Sequence, residues 1–116
     1  MSFTSVRSIM GVLPFAAAML AAVTGAHAQQ GAAIRISVKG RHFQPAELQA
    51  PANQPLAITV RNLDTTPMEF ESVSLRVEKM VTAGAEGVVH VRPLAPGRYE
   101  FFDDFHQETR GILVVQ

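Results

Sequence analysis

Apolar and polar side chains trade places at every step through much of this chain. In "IRISVK", Ile34, Ile36 and Val38 alternate with Arg35, Ser37 and Lys39. A period of two marks a strand with one face in a core. "LAITVRN" repeats the pattern with Leu56, Ile58 and Val60 inward, and "VVHVRP" places Val89 and Val91 on one face and Val88 and His90 on the other. "RYEFF" and "GILVV" supply the last two strands, with Pro96 and Gly97 placed for a tight turn ahead of them. Two stretches are less regular. "GRHFQPAELQAPANQP" carries Pro45, Pro51 and Pro55 and reads as a loop, with Phe43 and Leu48 as its anchors. In "MEFESVSLRVEKMV" Phe70 alternates with Glu69 and Glu71, whereas Leu75, Val77 and Met80 suit a strand or one helical turn. The pattern predicts about six to eight short strands in a β-sandwich or barrel.

The front of the chain follows a different rule. "MSFTSVR" is short and basic at Arg7, "IMGVLPFAAAMLAAV" is continuously apolar, and "AHA" at 26–28 is a small-x-small site. That order describes a secretory signal peptide over residues 1–28. The apolar run falls short of the roughly 20 residues that span a bilayer, so cleavage rather than anchoring is expected. The mature domain is then 29–116, periplasmic and not embedded in the membrane.

Composition removes several functions. Lys+Arg and Asp+Glu balance at 10 each, so no basic patch offers a nucleic-acid footprint. Cysteine is absent, which excludes both disulfides and thiolate chemistry. No HExxH, no glycine-rich phosphate loop and no credible nucleophile with its base is present.

What remains is oxygen-rich. Glu69 and Glu71 share one face of a strand, and Asp103, Asp104 and His106 crowd the turn in "FFDDFH". Glu78 sits between Arg76 and Lys79 in "RVEK", where an exposed ion pair is its ordinary role. His42 and His90 are isolated. Met68 reads as packing, although a thioether also serves soft copper. Carboxylates with one imidazole suit iron, manganese, zinc or Cu(II), and bind them less well at low pH.

The order of the pieces resembles the cupredoxins. "FQPAELQAPANQPLAITVRNLDTTP" is similar to the opening of that fold, and "PLAPGRYEFFDDFHQETRGILVV" to its close. The resemblance implies a small Greek-key β-sandwich or barrel. Its ligands depart from the blue-copper pattern Y-x-F-x-C-x-x-H: Tyr99, Phe101 and His106 fit, but Asp103 stands at the cysteine position. Met68 stands where a histidine is expected. "EFES", "LRVEK" and "FFDDFH" together resemble the cupredoxin-like proteins of bacterial oxidase-dependent ferrous iron uptake. That family implies copper and iron as bound metals, and as partner a high-affinity iron permease or another periplasmic iron-binding protein. Glu69, Asp103 and His106 are then the expected copper ligands, with Met68 as a soft addition. Glu71, Glu78 and Asp104 become a harder iron site or a supporting shell. The function implied is Fe(II) oxidation. The alternatives are a non-catalytic copper or iron carrier and a structural β-sandwich with a wet acidic loop.

Overall fold

A computed structural model describes residues 31–116, so the leader expected over 1–28 lies outside the described residues. Among the described residues, nine strands make two sheets. They are β1 (Ala32–Lys39), β2 (His42–Gln44), β3 (Glu47–Ala50), β4 (Leu56–Asn62), β5 (Met68–Ser72), β6 (Val77–Val81), β7 (Glu86–Val91), β8 (Gly97–Asp103) and β9 (His106–Val115). One sheet runs β2-β1-β4-β7 and the other β3-β9-β8-β5-β6. β1 runs parallel to β4 and β3 parallel to β9; the other pairings are antiparallel. Among the described residues there is no helix, and so none long and apolar enough to cross a membrane.

The alternating positions become the core as read. Ile36, Val38, Leu56, Ile58, Val60, Val89 and Val91 are buried, while Val88 and His90 face out. Three rings join the layers: Phe70 stacks on Phe101 at 4.9 Å, and Phe43 meets Phe101 edge-on at 4.9 Å. Gly111 lies against this cluster, where a Cβ would come within 2.4 Å of the Phe101 ring and 2.9 Å of the Ala46 carbonyl.

Two expectations change and one open alternative is decided. The proline-bearing stretch 40–55 is not all loop, because β2 and β3 form in it as short edge strands on either side of Pro45. An edge strand needs hydrogen bonds on one side only, so neighbouring prolines are tolerated. Residues 68–81, which suited a strand or one helical turn, form two strands joined by a turn over 73–76. Leu75 is buried from within that turn, which is why its spacing imitated a helix. The final strand starts at His106 rather than Gly111, in register with Asp103.

Buried Asn62 holds the loop that leads into β5. Its Nδ2 donates to the carbonyls of Thr66, Val81 and Thr82, and its Oδ1 accepts from the Asp64 amide. Asp64 in turn accepts the amides of Gly40 at 2.6 Å and Arg41 at 3.0 Å. The turn between β1 and β2 is thereby fastened to the loop between β4 and β5.

Candidate metal site

The pleat of β5 sorts its residues onto two faces. Met68, Phe70 and Ser72 point into the core, and Glu69 and Glu71 point outward, half-buried. β8 does the same, with Phe101 and Asp103 inward and Phe102 outward. Asp104 follows in the two-residue turn before β9, and its amide donates to the Glu69 carbonyl at 2.9 Å. That bond draws the turn against β5.

The result is a group of three carboxylates, Glu69, Glu71 and Asp104, with one oxygen of each within 4.8 Å of the others. Glu78 stands across from Glu71 on β6, and Met80 across from Glu69. Among the described residues the ion pairs join Arg35 and Arg61 to Glu86, Arg98 to Glu47, Arg110 to Glu100 and His106 to Asp103. None of them neutralises Glu69, Glu71, Glu78 or Asp104. The surface ion pair expected of Glu78 is therefore absent among the described residues, and the side chain adds to an acidic patch instead.

The charges register in the carboxyl groups. Partial burial holds Glu69 above the ordinary carboxylate range, and the negative charges of Glu78, Asp104 and Glu71 push the same way. Partial burial also leads for Glu71, followed by the charges of Asp104 and Glu78. A cation among these oxygens would offset the mutual repulsion that adds to the effect of burial. Gln107, which the sequence reading passed over, donates its Nε2 to Asp104 Oδ1 at 2.9 Å and orients that carboxylate. Its signal was position: it follows Asp104 by three residues across a tight hairpin turn.

Asp103 and His106 come together, but on the other face. The Asp103 carboxylate is 1% exposed. Its Oδ1 accepts the amides of Glu69 and Phe105, each at 3.0 Å. Its Oδ2 lies 2.8 Å from His106 Nδ1. A carboxylate has only acceptors to offer, so Nδ1 is the donor in this contact, and in the neutral imidazole Nε2 is then the nitrogen with a free lone pair. The structure thus separates the expected trio of Glu69, Asp103 and His106: Glu69 is outside, and the Asp103 oxygens are engaged by three donors within. Met68 is 1% exposed and packed in the core, on the opposite face of β5 from Glu69.

These donors do not fit a blue-copper centre, which takes a cysteine thiolate, two imidazoles and a weak axial thioether. The chain has no cysteine. Asp103 is committed to hydrogen bonds, and His106 offers one nitrogen. The three outward carboxylates do fit a hard, oxygen-seeking cation.

Comparison with known proteins agrees with the architecture. A family model described as cupredoxin-like domain matches residues 12–115. A Rickettsia prowazekii (strain Madrid E) protein, RP394, is 36% identical over 83 residues, or 71% of this chain. The match covers 66% of that relative, just under two thirds of its length. Among solved structures, the metal-binding domain of the Streptococcus pneumoniae D39 Cu(I)-exporting P-type ATPase CopA, determined with Cu(I), superposes with a TM-score of 0.65 at 22% identity. The match covers 75% of this chain and 88% of that one. A purple cupredoxin from Nitrosopumilus maritimus gives a TM-score of 0.58 at 18% identity, over 72% of this chain and 99% of that one. At such identities the likeness is one of fold.

Proposed function

Because this chain belongs to the cupredoxin-like domain family, we propose that it is a periplasmic metal-binding member that carries iron on Glu69, Glu71 and Asp104. The observation behind this reading is the convergence of three carboxylates that no basic side chain neutralises among the described residues. An all-oxygen anionic set favours Fe(II) and Fe(III) over soft metals. The site lies on an open sheet face, so water completes the coordination and the cation loads and leaves without a gate. Iron is cargo here. The signal-peptide pattern of residues 1–28 supports an exported location, and the resemblance to ferrous iron uptake proteins supports a high-affinity permease, or another periplasmic iron-binding protein, as receiver. Copper at the expected trio has no support from the ligand geometry.

One feature favours a second reading, oxidation of the cargo. Fe(III) gains more than Fe(II) from anionic oxygens, so the cluster makes iron easier to oxidise. With dioxygen as oxidant, four Fe(II) release four electrons, and O₂ with four protons becomes two waters. Fe(II) consumption in air, followed with a chromogenic chelator, separates the two. A carrier shields one equivalent and stops, whereas an oxidase turns over in excess Fe(II). Purified protein that takes up no iron when titrated anaerobically at micromolar concentration would sink both.

A further inference from the structure

Asp103 is joined to both ends of the carboxylate group although it lies beneath the sheet that carries them. Its Oδ1 holds the amide of Glu69, itself a member of the group, and the amide of Phe105, the residue after Asp104. Its Oδ2 holds His106, which opens β9. The Asp104 amide, between those anchors, is bonded to the Glu69 carbonyl. The backbones that carry Glu69 and Asp104 therefore share one buried acceptor, which leaves little freedom in the separation of their side chains outside.

We infer that Asp103 is a positioning residue: from the inner face its carboxylate sets the spacing of Glu69 and Asp104, and with it the cation affinity of the outer face. The inference rests on the proposed iron site. Only an anionic group with two acceptor oxygens meets all three donors. An asparagine keeps one acceptor and turns an NH₂ group toward His106, so it must break that contact or force the imidazole to its other tautomer. Charge-assisted hydrogen bonds are also the stronger kind, so the neutral replacement loosens the turn even where it fits. The acid at this position thus acts as a cross-link between β5 and the turn between β8 and β9.

The test is anaerobic Fe(II) calorimetry on the full domain with Asp103→Asn, Glu71→Gln and Leu48→Ala, beside thermal melts of each. Leu48 is a core residue on β3, away from the turn, and its variant reports destabilisation alone. Asp103→Asn should bind Fe(II) at least about tenfold more weakly, the range of supporting-shell changes at metal sites. Leu48→Ala should lose stability and keep its affinity. Nitrogen NMR of His106 should move the proton from Nδ1 to Nε2 in Asp103→Asn. Wild-type affinity in Asp103→Asn with a weakened Glu71→Gln overturns the positioning role and leaves the site standing. Wild-type affinity in Glu71→Gln overturns the site and the inference with it. Equal losses in Asp103→Asn and Leu48→Ala also overturn the role. Should Asp103→Asn fail to fold, hydrogen exchange on wild type decides. La(III), as a diamagnetic hard cation, should slow exchange of the Glu69 and Phe105 amides, and unchanged rates overturn the inference.

Discussion

Glu71 of β5 stands directly opposite Glu78 of β6, two carboxylates at a cross-strand position where opposite charges are the stabilising choice. Like charges placed so destabilise the sheet, and Glu69 and Asp104 add to the repulsion. The folded protein tolerates this at the place where three acids converge. Glu71→Gln should therefore raise the melting temperature of the metal-free protein at neutral pH while weakening cation binding. Calorimetric melts with and without iron check both signs.

The same charges predict an unusual pH profile. Glu69 and Glu71 hold protons to higher pH when folded than when unfolded. As pH falls from neutral through their raised folded values toward the ordinary value of 4.5, the folded state takes up protons first and stability rises. Asp64 runs the other way. The amide of Arg41 does most to hold its carboxyl below the ordinary 3.8; burial opposes it, and the amide of Gly40 and the charges of Arg41 and His106 add to the lowering. Its contribution is present above 3.8 and is lost as pH falls through its folded value. Melting temperature should climb on mild acidification and drop in strong acid. Glu71→Gln should flatten the climb. Iron affinity should fall across the whole descent, because the carboxylates must be ionised to bind.

Met68 separates the expected copper ligand from the observed core residue. Met68→Leu conserves volume and apolar character, so it should cost less than about 1.5 kcal/mol in urea unfolding. Iron affinity should not change, because the side chain lies on the far side of β5 from Glu69.

Gly111 tests the packing beneath the site. An alanine there would press its methyl group into the Phe101 ring and toward the Ala46 carbonyl. Overpacking of that kind costs on the order of 1–3 kcal/mol, so urea unfolding of Gly111→Ala should show a lowered midpoint with an unchanged slope.

Much of this was legible in the chain. The period-two runs at 34–39, 56–62 and 88–91 fold as strands with the faces read from them. β2 and β3 were not legible, because three or four residues beside proline give no periodic signal. At the site, Glu69 and Glu71 were read onto one face and lie there. Asp103 was grouped with Glu69 because the resemblance puts Asp103 at the cysteine position of the blue-copper pattern and Glu69 beside the expected histidine position, held by Met68. The alternation Tyr99, Phe101, Asp103 against Glu100, Phe102, Asp104, carried through to the turn, places Asp103 inside and Asp104 outside. What the chain could not show is the pairing of β5 with both β6 and β8, which brings residues over thirty positions apart within reach of one cation.

The most direct test of a cation site on the outer face is anaerobic Fe(II) titration of wild type against the triple variant Glu69→Gln, Glu71→Gln, Asp104→Asn. The wild type should bind one equivalent, and the variant should fold, melt no lower than wild type and show no saturable uptake. Equal Fe(II) binding by the two proteins would contradict the account.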